Sequence, residues 1–283
     1  MQSIKRLFDF YINSSTHVSL SVVALGWITY LSLDINVNFA VLSFLFFSTV
    51  TGYNFVKYAE IAGLHHRSLA QSLKTIQIYS VICGVGMLVT SLFMSLEVWV
   101  ACGILGLVTL LYAIPFFMPK NTASLVKGNL RSVAGLKIFI IGVVWSGVTV
   151  ILPVLQDGTI TWDVGVICIQ RVLFVLALMI PFEIRDMVFD NLALKTLPQI
   201  VGVKKAKIIG VTWLLLCCVL EFFKDEFNLD TFLSQLFIMI VTSSCIYLSQ
   251  KRSAATMYFS SFWVEGIPLL WLWLVLVINY LSY

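Results

Sequence analysis

Glu183, Asp186 and Asp190 recur at intervals of three and four residues in a segment that continues to Lys195, Thr196, Leu197 and Pro198. On a helix such positions share one face. Carboxylates gathered that closely repel one another unless a cation lies among them. Hard oxygen donors of this kind suit Mg²⁺, which is typically held by one or two carboxylates together with the phosphate oxygens of a substrate. The same residues also read as a solvated, charged helix end pairing with Arg185 and Lys195, and the spacing alone leaves both readings open. His65, His66 and Arg67 form a second polar group, which fits a ligand or acid–base pair and equally a polar loop at headgroup level. The six cysteines (Cys83, Cys102, Cys168, Cys217, Cys218, Cys245) all lie in apolar stretches, without metal-binding spacing, and read as small packing residues. No nucleotide-binding loop, HExxH, catalytic triad or nucleic-acid-binding signature occurs, so no nucleic-acid partner is expected.

The elements that must position these residues are membrane helices. Of 283 residues, 60% are hydrophobic and 11% charged, where a soluble domain carries roughly 25% charged residues. The mean hydropathy is +0.97. Lipid is the solvent that tolerates such a surface. Runs long enough to span a bilayer fall at 17–33, 37–56, 76–95, 97–117, 133–155, 163–182, 206–223, 231–248 and 258–281. The expected fold is all-α, a polytopic bundle of about nine transmembrane helices around a central cavity, forming a single domain over 1–283.

Basic residues fall on one set of connections: Lys5 and Arg6; Lys57, Arg67 and Lys74; Lys120, Lys127 and Arg131; Arg185, Lys195, Lys204, Lys205 and Lys207; Lys251 and Arg252. The alternate connections hold only Lys224. The positive-inside rule then puts the N-terminus and the long loops in the cytoplasm and the C-terminus outside, in a cytoplasmic-type membrane. No cleavable signal peptide is evident, so the first span is expected to act as the targeting signal. Lys137, Arg171 and Glu265 fall inside spans. Charges there are costly and are normally paired, so Glu265 is expected to pair with Lys137 or Arg171, as a packing bridge or as a wall of the cavity.

ExxDxxxD followed by Lys195-Thr196-Leu197-Pro198 resembles the second aspartate-rich motif of the UbiA-type intramembrane prenyltransferases. The span count, the N-in orientation and the long loops after spans two and six are similar as well, as is Gly135-Leu136-Lys137 leading into a span with Trp145 and Pro153. The resemblance covers most of the chain and implies two motif loops, here 54–75 and 183–205, that hold Mg²⁺ against a polyprenyl diphosphate. The first motif is degenerate. Asn54 is kept, but Phe55, Tyr58 and Ala62 stand where the family has aspartates. By the usual design, then, Asp186 and Asp190 with Glu183 hold one Mg²⁺ at most, and Asn54, Arg131, Lys137, Arg185 and Lys195 are candidate diphosphate contacts. Lys57, inside the emptied motif, reads as a cation in place of a metal, facing Asp186 or Asp190 across the cavity, or as an ordinary flanking lysine. Lys204, Lys205 and Lys207 suit a diphosphate or anionic lipid.

Two functions follow from the resemblance. One is a prenyltransferase, or a close relative, acting on a polyprenyl diphosphate; the catalytic residues and the acceptor are not legible. The other is a catalytically silent descendant without metal, a lipid- or quinone-binding or structural subunit of a membrane complex. The preserved carboxylates argue for the first and the lost aspartates for the second. A transporter would need broken spans and a through-going polar path, whereas the polar residues cluster on one side.

Overall fold

The computed structural model describes residues 2–59, 70–113, 136–188, 196–250 and 258–282. Among these residues there are helices and no strands. The order is α1 (Gln2–Asn13), α2 (Thr16–Ser32), α3 (Phe39–Ala59), α4 (Ala70–Ser91), α5 (Leu96–Ala113), α6 (Leu136–Ser146), α7 (Leu152–Asp157), α8 (Trp162–Asp186), α9 (Leu197–Val201), α10 (Val203–Glu221), α11 (Leu229–Leu248) and α12 (Ile267–Ser282). A π-helical segment, Gly147–Ile151, joins α6 to α7, and another, Phe259–Val264, leads into α12.

Among the described residues, each expected span overlaps a helical stretch. Six helical stretches, among them Leu136–Asp157 and Phe259–Leu281, are long and apolar enough to cross a membrane. α2 and most of α5 form shorter apolar helices. α10 carries Lys204, Lys205 and Lys207 in its first turns. The element that hydropathy did not anticipate is α1, whose aromatic side chains dock on the bundle. Phe8 meets the rings of Tyr258 and Phe262, with centroids 5.3 and 5.2 Å away, and Phe10 meets Tyr79 at 5.5 Å.

Burial sorts the helices into centre and rim. α8 has 67% of its apolar window buried and α4 only 17%. α8 packs against α10, α6 and α11, while α2 packs against α3 and α12 and so closes the ring. The larger core gathers Leu25, Phe174, Ile180, Leu214, Ile238 and Trp271. A second core joins Tyr30, Val41, Leu45, Met94, Val98 and Leu152. The periphery is apolar too: Val81, Ile82 and Val85 on α4, Ile104 and Leu107 on α5, and Phe237 and Ile240 on α11 all face outward. A surface of that kind is stable against lipid tails, and the protein is an integral membrane protein.

The connections at one end of the bundle are short and tied by polar contacts. Tyr30 Oη donates to Asp157 Oδ2 at 2.6 Å, Asn38 Nδ2 to Asp157 Oδ1 at 2.9 Å, and Trp162 Nε1 to the Phe223 carbonyl at 2.7 Å. The Ser95 backbone N–H donates to Gln156 Oε1 at 2.8 Å. At the opposite end, Gly202, with φ +84°, turns the chain from α9 into α10, a conformation that glycine adopts without a Cβ penalty.

Candidate functional site

A cavity of about 1290 Å³ opens at the end of the bundle where α2 begins and α3 and α8 finish. Its interior is apolar, with Phe44, Met87, Leu105, Ile141, Val148 and Leu152 among its walls. Trp145 Nε1 donates to Tyr53 Oη at 2.8 Å, so these two lining side chains satisfy each other inside the greasy chamber. The mouth is polar. Lys5 and Asp9 come from α1, Lys57 from the last turn of α3, Arg185 from the last turn of α8, and Tyr258, Ser261 and Glu265 from the π-helical entry to α12.

Local structure explains how these groups come together. α1 folds back over the mouth through a sharp corner at Ser15, which sits in the left-handed region at φ 62°. That conformation is strained for a residue with a Cβ. Asn54 holds it: Asn54 Nδ2 donates to the Ser14 carbonyl at 3.0 Å and to Ser80 Oγ at 2.8 Å, and Asn54 Oδ1 accepts from Ser15 Oγ at 2.7 Å. Lys57 Nζ donates to the Asn13 carbonyl at 3.0 Å and so pins the same corner from the mouth side. Tyr258 donates its hydroxyl to Asp9, which fastens α1 to the other wall. Tyr11 Oη lies 2.7 Å from His17 Nδ1, and His17 Nε2 lies 2.9 Å from the Phe262 carbonyl in the π segment. Burial, and then the Glu265 charge, hold the Tyr11 phenol above its ordinary pKa.

The π segment sets the aim of Glu265. Its amide donates to the Ser260 carbonyl, five residues back, at 3.1 Å. Such a turn accommodates one more residue than an α-turn, and π turns are frequent at functional sites. The half-buried Glu265 carboxylate lines the cavity opposite the charges of Lys57 and Arg185. The expected pairing with Lys137 or Arg171 is therefore corrected. Arg171 is engaged instead with the Leu25 carbonyl at 2.9 Å and Thr29 Oγ1 at 3.2 Å, and Lys137 is half-buried in the first turn of α6.

The carboxylate trio is divided between tasks. Glu183 is 2% exposed, and its Oε2 accepts the Leu197 backbone N–H at 3.1 Å, at the start of α9. Thr196 and Gln199 close the same helix start, the Thr196 N–H donating to Gln199 Oε1 at 2.9 Å. The Thr196-Leu197-Pro198 run thus begins a helix, with Pro198 at a position that tolerates it. Asp186 binds its neighbour Arg185 bidentately, Oδ1 to Nε at 2.7 Å and Oδ2 to Nη2 at 2.8 Å, while Arg185 Nη1 donates to Ser261 Oγ at 2.7 Å. Neither Glu183 nor Asp186 is among the residues lining the cavity. Among the described residues no three His, Cys, Asp or Glu side chains are gathered as a metal site. Among the described residues the donors do not form a two-metal diphosphate clamp: Phe55 lines the cavity where the resemblance implied an aspartate, and both Asp186 oxygens are engaged by the Arg185 guanidinium.

Asp190, Arg131, Lys195, His65, His66 and Arg67 lie outside the described residues. Lys204 and Lys205 are exposed, whereas Lys207 Nζ donates to the carbonyls of Tyr247 at 2.7 Å and Ser249 at 2.8 Å and so caps the end of α11. Sequence reasoning missed Asp9, Tyr53, Tyr258 and Ser261. For Asp9 a signal was present, because the run from Gln2 to Asn13 alternates apolar and charged residues with helical period.

Two solved structures share this fold. A UbiA homologue from Aeropyrum pernix K1 is 12% identical, over 93% of this chain and 97% of that one, with a TM-score of 0.63. A digeranylgeranylglyceryl phosphate synthase is 18% identical, over 98% and 97%, with a TM-score of 0.55. No protein-family model and no curated protein matches the chain. The chain has the fold of the UbiA-type intramembrane prenyltransferases, as the motif resemblance implied.

Proposed function

We propose that this protein is a catalytically silent UbiA-fold protein that binds an isoprenoid lipid, its tail in the apolar cavity and a neutral polar head, such as a quinone ring, at the mouth. The observation that carries this reading is the arrangement of charge there. Among the described residues the lining cations Lys5, Lys57 and Arg185 stand with the carboxylates Asp9 and Glu265, and Asp186, outside the lining, is bound by Arg185. A diphosphate would bring several negative charges to a mouth whose cations already face carboxylates, and without metal it would meet Glu265 and Asp9 as repulsion. A quinone or polyprenol brings no charge, and its oxygens can accept hydrogen bonds from Ser261, Tyr53 or Lys57. Apolar walls with a few convergent polar groups are the usual make-up of a lipid or cofactor site. The mouth faces the cytoplasm in this reading, with the N-terminus on the same side, because the basic residues favour that side. The chain then serves as a lipid- or quinone-binding subunit of a membrane assembly.

A second reading is prenyl transfer from a polyprenyl diphosphate with one Mg²⁺ held by Asp186 and Asp190, assisted by Glu183. It is favoured by the side chain of Asp186, which is 29% exposed at the same end as the mouth. It requires Arg185 to release Asp186.

One titration separates them. The purified protein is titrated with a labelled menaquinone analogue and, separately, with a labelled polyprenyl diphosphate, each with and without Mg²⁺. Quinone binding that ignores Mg²⁺ and weakens in Trp145→Ala is the expected result. Diphosphate binding that needs Mg²⁺ and disappears in Asp186→Asn overturns the silent reading in favour of the transferase.

A further inference from the structure

At the end of the bundle away from the mouth, a second, small cavity of about 40 Å³ lies between α2, α8, α11 and α12. Arg171, Gln170, Lys224, Ser234, Gln235 and Asn279 are among its walls. Arg171 is 3% exposed and packed beneath Trp271, whose ring centroid lies 5.9 Å from the guanidinium carbon. Its two hydrogen bonds, to the Leu25 carbonyl and Thr29 Oγ1, engage neutral acceptors. A guanidinium carries five N–H donors, so three remain without a protein acceptor among the described residues. No described carboxylate forms an ion pair with it.

The other charges at this cavity cancel. Lys224 Nζ and Glu221 Oε1 are paired at 2.6 Å, with 6% and 1% of their side chains exposed. Gln170 Nε2 donates to the second Glu221 oxygen at 2.8 Å, so that carboxylate is engaged on both sides. One positive charge is left over in the low-dielectric half of a membrane bundle, an arrangement that costs several kcal/mol unless something compensates it. Two features of the cavity suit an anion. It adjoins Thr231 in the first turn of α11, at the positive end of the helix dipole, a turn that Asp230 shares. Its volume exceeds the ~10–15 Å³ that one water needs, so a small ion and a water fit while a phospholipid headgroup does not.

We infer that this cavity is a binding site for an inorganic monoanion of halide size, which supplies the counter-charge of Arg171. The site is independent of how the mouth is used, because it lies at the other end of α2 and α8.

Chloride is the probe. The full-length protein in detergent is unfolded thermally in sodium gluconate with chloride added at constant ionic strength. The unfolding midpoint should rise along a saturating curve, as for any ligand that binds only the folded state. Asn279→Asp places a carboxylate in the same cavity; it should raise the midpoint in gluconate and abolish the chloride response. Arg171→Met should abolish the response as well, and should it fail to fold, Asn279→Asp carries the test. Crystals grown in bromide should show an anomalous peak beside the Arg171 guanidinium. Equal midpoints in gluconate and chloride, or a bromide map without that peak, overturn the inference and leave a water-filled pocket. A response to inorganic phosphate but not to chloride or bromide overturns the halide size.

Discussion

The two ends of the bundle handle charge in opposite ways. At the mouth, Lys57 and Arg185 stand opposite Glu265 around a wide opening, and Arg185 also holds Asp186 with two hydrogen bonds. At the far end, polar side chains tie helices together with little space between them, yet among the described residues no carboxylate pairs with Arg171. The large cavity combines apolar walls with charges of both signs at its mouth, whereas the charged side chains lining the small one are Arg171 and Lys224. The motif resemblance implies more than the described geometry delivers: Asp186 is engaged by Arg185, and Glu183 by the start of α9.

Substitutions at either end should respond separately, and the strongest test lies at the α1–α2 corner. Asn54→Ala strips the Ser14, Ser15 and Ser80 groups of their shared partner and should cost about 3 kcal/mol in stability. Chemical denaturation in detergent would read it, and lipid binding should fall with it while the chloride response persists. Tyr30→Phe at the far end removes the hydroxyl that donates to Asp157 and should cost about 2 kcal/mol, with lipid binding intact. In the double variant the two losses should add to within about 0.5 kcal/mol, and a larger discrepancy would mean that the ends are coupled. Gly266→Ala should cost about 1 kcal/mol, since a Cβ there would come within 2.8 Å of the Phe262 carbonyl and 3.2 Å of the His17 ring. Quinone affinity should drop alongside, measured by the same titration. Glu265→Gln is nearly isosteric and should change stability by less than about 1 kcal/mol. It removes a carboxylate from the mouth, so affinity for a polyprenyl diphosphate should rise about tenfold relative to the quinone; unchanged selectivity would show that the charges at the mouth are not what discriminates.

The helices were legible in the sequence because the hydrocarbon solvent imposes one rule on every outer face, and spans at 163–182 or 231–248 obey it without reference to neighbours. The side-chain partners were not legible to the same degree. Which carboxylate meets which cation depends on the azimuth of each helix. That is why Glu265 meets the charges of Lys57 and Arg185, and why Glu183, read as a metal ligand, accepts the Leu197 N–H instead. The Thr196-Leu197-Pro198 run starts a helix, and nothing local reveals that the acceptor for the Leu197 N–H lies fourteen residues earlier, at Glu183. Asn54, read as a diphosphate contact, is made a corner lock by its partners at Ser14, Ser15 and Ser80, a task that no linear motif announces.

The wide turn at Phe259–Val264 carries an evolutionary implication. An α-helix advances about 100° per residue, so shortening that segment by one position would leave α12 a helix and swing residue 265 around to another side. Deleting one residue there, with the cavity walls otherwise kept, should change which side chain faces the chamber at this position. Relatives of this chain that differ by one residue here should differ in ligand preference even where their cavity walls are alike.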